Sequence, residues 1–202
     1  MVYFDLGNVL LHFDHQLSCQ NLGRLFKVSP SEVQQVVFES GLEDRYETGE
    51  VSTQEFYELL CDRWRQKPPL SEVCHAAADI FTINYPTVSL LAQLKAAGYR
   101  TGILSNTCEA HWQFVADGRY RFLVDFFESL ILSYEVKSMK PESKIYQAAI
   151  DEAQLEAEEI LFMDDRQENV DGALEAGLQA VHFTHGHRLA HDFHQHGIRV
   201  NF

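Results

Sequence analysis

Four polar clusters interrupt an otherwise apolar pattern, and their carboxylates are of the type that holds a divalent cation. Asp5 ends the apolar run that begins at Val2 and is followed by Leu6, Gly7 and Asn8. Ser105, Asn106 and Thr107 end a second run, Lys140-Pro141 precedes a helical pattern, and Asp164-Asp165 end another run. A carboxylate directly after a buried strand is costly to desolvate unless something pairs with it. Three carboxylates converging beside one lysine repel each other unless a cation sits among them. Hard oxygen donors of this kind suit Mg²⁺, which keeps waters and shares its shell with phosphate.

The elements that must bring these clusters together are legible from hydrophobic pattern. Short apolar runs at 2–6, 101–104, 129–132, 160–163 and 180–183 read as buried parallel strands. Between them, Leu90, Leu91, Leu94 and Ala97 fall on one helical stripe, with Pro86 placed to open the helix and Gly98 to end it. Residues 142–153 and 167–176 repeat the scheme, the latter closed by Gly177. This alternation predicts an α/β fold with a doubly wound parallel sheet, a Rossmann-like core whose working edge is the carboxyl end of the strands. Residues 12–85 break the alternation, with helical signals and no convincing strand. Ser29-Pro30-Ser31-Glu32 and Ser52-Thr53-Gln54-Glu55 have capping-box spacing, Phe56, Leu59, Leu60 and Trp64 make an apolar face, and Lys67-Pro68-Pro69 reads as a turn. The reading is a core of 1–11 and 86–202 with a small α-helical insert at 12–85.

Taken in order, Phe4-Asp5-Leu6-Gly7-Asn8-Val9-Leu10, Leu104-Ser105-Asn106-Thr107, Lys140-Pro141 leading to Ile145-Tyr146, and Phe162-Met163-Asp164-Asp165 with Asn169 and Gly172 resemble the four motifs of the haloacid dehalogenase-like hydrolase superfamily. The resemblance covers nearly the whole chain, and the insert resembles the small cap of one large subgroup. It implies a phosphatase in which Asp5 attacks phosphorus to form an aspartyl-phosphate, Lys140 neutralises charge, and Ser105 with the Asn106 backbone N–H binds phosphate. It also implies Mg²⁺ held by Asp5, the carbonyl of Gly7, Asp164 and Asp165. Which of the last two touches the metal directly stays open, with Asp165 preferred.

Phosphatases of the superfamily usually carry aspartate two residues after the nucleophile, as general acid and then base. Here that residue is Gly7. Losing a general acid typically costs 10²- to 10⁴-fold, roughly 3 to 5 kcal/mol of barrier. Substrates with good leaving groups, such as anomeric sugar 1-phosphates, acyl phosphates and aryl phosphates, suffer least. The Asp-Leu-Gly-Asn variant resembles a branch that includes an α-D-glucose 1-phosphate phosphatase. His12, Asp14 and His15, close behind the first strand, are candidate replacement acids.

Composition bounds the alternatives. The chain has 202 residues, 46% hydrophobic and 23% charged, enough to bury a core without disulfides. Its 16 Lys plus Arg against 30 Asp plus Glu give a net charge of −14, which opposes nucleic acid and anionic membranes as partners and leaves a small phosphorylated metabolite as the expected one. The four cysteines form no C-x-x-C pair, the first residues carry no signal pattern, and no apolar run approaches the ~20 residues of a membrane span, so the chain reads as cytoplasmic. Simpler readings compete at each motif. Asp164-Asp165 also suit a helix N-terminus, Ser105-Asn106-Thr107 an ordinary turn, and Lys137 competes with Lys140. Cys108 and the Phe122, Phe126, Phe127 group read as packing residues, and His187, His191 and His194 as one face of a solvated C-terminal helix rather than a zinc site. Three rival functions share the fold: a haloacid dehalogenase, a phosphomutase, and a binding protein without useful turnover.

Overall fold

At the centre of the molecule β1 (Val2–Phe4) pairs in parallel with β4 (Thr101–Ser105) on one side and β6 (Leu161–Asp164) on the other, Phe4 lying opposite both Ile103 and Met163. The molecule is known as a computed structural model that describes residues 1–199. Outside these strands lie β5 (Ser129–Leu132) and β7 (Gln179–His182), giving a five-stranded sheet in the order β5-β4-β1-β6-β7. All four pairings are parallel, so every strand ends at the same edge. The chain runs outward from β1 in one direction and then in the other, which opens a crevice at the carboxyl end of β1.

Helices cover both faces, as parallel strands require. Tyr85–Ala96 carries Pro86 in its first turn and buries Leu90, Leu91 and Leu94; Ser143–Ala153 buries Ile145, Tyr146 and Ala149. Ala97, expected on the same apolar stripe, is instead the exposed C-terminal cap, because the helix ends at Ala96. Phe122, Phe126 and Phe127 pack against the main apolar cluster, and Cys108 is buried. No helix among the described residues is long and apolar enough to cross a membrane.

Between β1 and the helix Tyr85–Ala96 the chain makes its own apolar cluster. Leu22, Phe26, Val33, Leu42, Phe56, Leu60 and Trp64 pack together there, and the cluster reaches Cys108 and Ala110 on the sheet side. The helix Thr53–Trp64 starts with the expected capping box, Ser52 and Glu55 satisfying each other's backbone N–H groups. At the other predicted box Ser29 does accept the Glu32 N–H, but the Glu32 side chain takes the Trp64 indole N–H at 3.0 Å instead of closing the box. The expectation that this interval holds no strand fails. Leu11–Phe13 (β2) and Phe81–Ile83 (β3) form a two-stranded antiparallel ribbon at the two ends of the insert, with Leu11 opposite Ile83 and Phe13 opposite Phe81. Strands of three residues are too short to display the alternation by which a strand is recognised.

Candidate active site

The crevice edge gathers three carboxylates around one amine. Asp5 directly follows β1, and its backbone N–H continues the ladder to Met163 O at 3.0 Å. Lys140 comes from the loop after β5 and is 4% exposed. Its Nζ donates to Asp5 Oδ1 at 2.7 Å, to Asp164 Oδ2 at 2.6 Å and to Leu104 O at 3.0 Å, which uses all three of its hydrogens. Burial works against the lysine's charge, but Asp5 and Asp164 outweigh it and hold the pKa above the ordinary value. Burial pushes the Asp5 carboxyl up to about 7; Lys140 pulls it down and Asp164 pushes it further up.

Two amides brace this group. Asn106 clamps the lysine's loop, its Nδ2 donating to Lys140 O at 3.0 Å and its Oδ1 accepting the Lys140 N–H at 2.8 Å. Asn169 donates to both oxygens of Asp164 at 3.0 Å. Gly172 lets the Lys140-Pro141 loop come close: a Cβ there would stand 2.9 Å from both Pro141 Cβ and Pro141 O. Lys137, the competing lysine, is exposed and donates to Gly49 O at 2.6 Å, away from this cluster.

Asp165, half-buried, accepts from Asn8 Nδ2 at 2.9 Å. Asn8 sits in the left-handed backbone region, φ 55°, which asparagine tolerates better than most residues. One oxygen each of Asp5, Asp164 and Asp165 lies within 4.8 Å of the others. Those oxygens are hard donors, and a single ammonium leaves them two negative charges in excess, so the set fits a divalent cation such as Mg²⁺. Asn169 Oδ1 is buried beside them without a partner, an acceptor ready for a water on such a cation. Ser105 is 1% exposed at the end of β4, and its hydroxyl donates to Asn106 O at 3.2 Å. The sequence-predicted residues Asp5, Gly7, Asn106, Lys140 and Asp165 all line one cleft of about 200 Å³, and Ser105 lines an adjoining one with Gly7 and Asn106.

The candidate replacement acids part company. Asp14 is exposed, accepts the Gln16 N–H at 2.8 Å as the N-cap of His15–Phe26, and is not among the residues lining the cleft. His12 is exposed and lines a neighbouring cavity that shares Asn8 and Asp165 with the cleft. His15 does line the cleft, its ring between those of Phe13 and Phe38 at tilted angles and 3.9 Å from Glu43. Sequence reading missed Glu43, Glu47 and His111. Glu43 and Glu47 belong to Leu42–Glu47 in the insert and His111 to Glu109–Val115, and one ligand-type atom of each lies within 4.8 Å of the others. Burial pushes Glu47 up to about 7, with Asp44 and Asp5 raising it further against Lys140 and Arg166. Burial and then Glu47 and Asp44 carry Glu43 up to about 9, while burial brings His111 down to about 4. An i, i+4 glutamate pair on a short helix carries no sequence signal of a site.

Known proteins of this kind are similar along nearly the full chain. A family model described as haloacid dehalogenase-like hydrolase matches residues 2–177. A D-ribitol-5-phosphate phosphatase of Bacteroides thetaiotaomicron is 24% identical over 192 residues, 92% of this chain and 92% of that protein. A sesquiterpene phosphatase of Aspergillus oryzae is 24% identical over 188 residues, 90% of this chain and 88% of that protein. Among solved structures, a family enzyme from Bacteroides thetaiotaomicron in complex with magnesium and inorganic phosphate superposes with a TM-score of 0.83 at 25% identity, covering 95% of this chain and 98% of that one.

Proposed function

The chain belongs to the haloacid dehalogenase-like hydrolase family, and from that membership we propose that it is a Mg²⁺-dependent phosphatase acting on a small phosphorylated metabolite through an aspartyl-phosphate on Asp5. The observation that carries this reading is the buried Asp5–Lys140–Asp164 contact at the crevice edge, with Asp165 beside it. Relatives named as phosphatases and a similar enzyme holding magnesium and phosphate support it.

In this reading Asp5, Asp164, Asp165 and the carbonyl of Gly7 would hold the ion, which when bound supplies positive charge to the phosphoryl group. Asp5 attacks phosphorus, the P–O bond to the leaving group breaks, and water then cleaves the acyl phosphate to return Asp5 and free phosphate. Lys140 keeps Asp5 oriented and balances part of its charge; Ser105 and the Asn106 backbone N–H bind phosphate oxygens. Residues 12–85 act as a cap that closes the cleft and excludes bulk water. Facing Asp5 from that side are Glu43, Asp44, Glu47 and His15, which offer hydrogen-bond acceptors to substrate hydroxyls and so favour a sugar phosphate-like substrate.

The test is steady-state hydrolysis of a phosphate-ester panel with and without Mg²⁺, wild type against Asp5→Asn. Acetyl phosphate, p-nitrophenyl phosphate, glucose 1-phosphate, glucose 6-phosphate and glycerol phosphate span the leaving-group range. Mg²⁺-dependent turnover that disappears in Asp5→Asn is expected. A folded, Mg²⁺-binding wild type that turns over none of them would replace this reading with a binding protein of the same fold.

A further inference from the structure

Resting on the phosphatase reading, we propose that Glu47 supplies, from the insert, the proton-transfer group that the chain lacks at Gly7. The position two residues after the nucleophile is crowded by an aromatic ring. A Cβ on Gly7 would stand 2.8 Å from Phe13 Cε1 and 3.3 Å from Phe13 Cδ1, so the ring already occupies the space an acid there would need. Phe13 is itself positioned by β2 against Phe81 on β3, a feature of the ribbon.

Glu47 lines both the cleft that holds Asp5 and Lys140 and the adjoining one that holds Gly7 and Ser105. Of the two insert glutamates that line the cleft, Glu47 is the one acted on by the charges of Asp5 and Lys140, whereas Glu43 answers to Glu47 and Asp44. Its main chain is tied to the sheet: Ser133 Oγ donates to Glu47 O at 2.6 Å, and the Ser133 hydroxyl oxygen in turn accepts the N–H of Thr107, two residues after Ser105, at 2.9 Å. The helix end is thereby fixed to the loop that carries the predicted phosphate-binding residues.

The groups facing Glu47 set its proton. Glu43 and Asp44 lie on its own helix, Asp5 at the end of β1, Lys140 and Arg166 on the loops opposite, and His111 on the helix after β4. His15, from the start of its helix, lines both clefts with Glu47. Burial and the neighbouring carboxylates favour the neutral acid, and a group poised near neutral pH suits proton transfer in both directions. In the first step the Asp5 carboxylate forms a bond to phosphorus, the P–O bond to the alcohol breaks, and Glu47 gives its proton to the departing oxygen. In the second, Glu47 as carboxylate takes a proton from the attacking water, the Asp5–phosphorus linkage breaks, and Asp5, phosphate and neutral Glu47 are restored.

The experiment compares wild type, Glu47→Gln, Glu47→Asp, Asp5→Asn and the exposed Glu50→Gln with Mg²⁺ on p-nitrophenyl phosphate and glucose 6-phosphate, each variant first shown to melt cooperatively. For Glu47→Gln, kcat/KM on glucose 6-phosphate falls by about 10²- to 10⁴-fold while p-nitrophenyl phosphate, which needs little protonation, changes by less than about 10-fold. Slow breakdown of the acyl phosphate then gives a burst of p-nitrophenol followed by a slow steady state. In wild type, kcat/KM on glucose 6-phosphate declines as pH rises through the pKa of the acid, and that limb is absent in Glu47→Gln. Glu47→Asp recovers part of the rate, and Glu50→Gln behaves as wild type. Equal losses on both esters, or a Glu47→Gln enzyme with wild-type rates and pH profile while Asp5→Asn is inactive, would overturn the assignment and leave the phosphatase reading standing. A wild type inactive on both esters overturns the two together.

Discussion

Replacing Lys140 with methionine isolates what the buried amine does for stability. The substitution keeps most of the side chain's volume but removes hydrogen bonds to Asp5, Asp164 and Leu104 O from a residue 4% exposed. Two carboxylates then remain buried without their cation, and breaking one side of such a buried arrangement costs about 3–5 kcal/mol. For a chain of this size each kcal/mol lowers Tm by about 2–4 °C, so melting drops by about 6–20 °C. The loss must depend on pH. Without the lysine the Asp5 carboxyl rises beyond the value of about 7 that it has in the wild type. A carboxyl whose folded pKa exceeds its unfolded value contributes stability that is present below the unfolded pKa and disappears as pH rises through the folded one. The deficit of Lys140→Met against wild type is therefore small at pH 5.5 and grows above pH 7. Because a divalent cation restores charge balance among the three carboxylates, Mg²⁺ raises the variant's Tm more than the wild type's. Thermal melts at pH 5.5 and 8.5, in EDTA and in Mg²⁺, read all of this. An equal Tm loss at both pH values, untouched by Mg²⁺, would show that the lysine matters through packing alone and refute the charge argument.

Two further outcomes follow from the same geometry. Gly7→Asp forces its Cβ into the Phe13 ring at 2.8 Å and destabilises by about 1–3 kcal/mol, whereas adding Phe13→Ala makes room, so the double variant is more stable than the sum of the singles; additive denaturant midpoints would show that Phe13 does not close the site. Asn106→Ala removes both hydrogen bonds that hold the Lys140 backbone, lowering stability by about 1–3 kcal/mol and weakening inorganic phosphate binding in the presence of Mg²⁺; calorimetric titration giving the wild-type affinity would assign Asn106 no part in placing the site.

The polar strand ends were written locally and could be read locally. An apolar run ending in Asp5, another ending in Ser105-Asn106 and a third in Asp164-Asp165 each specify a strand and its polar tip within a few residues, and parallel topology alone carries those tips to one crevice. Local capping was legible for the same reason, as Ser52 and Glu55 show. Assignments that depend on long-range packing were not. Asp14 and His15 are adjacent in sequence, yet one is a helix cap and the other a wall of the cleft. Lys137 and Lys140 stand three residues apart on one loop, and only the clamp from Asn106 and the depth of the crevice distinguish them. Glu47 lies 42 positions from Asp5, on a helix whose placement follows from the insert's own apolar cluster and from one hydrogen bond to Ser133. Residue types and short spacings determine which side chains stand at the strand ends. Which groups from the insert face them is decided by tertiary packing, because that distance is set by many weak apolar contacts along the chain and by no pattern in any one stretch of it.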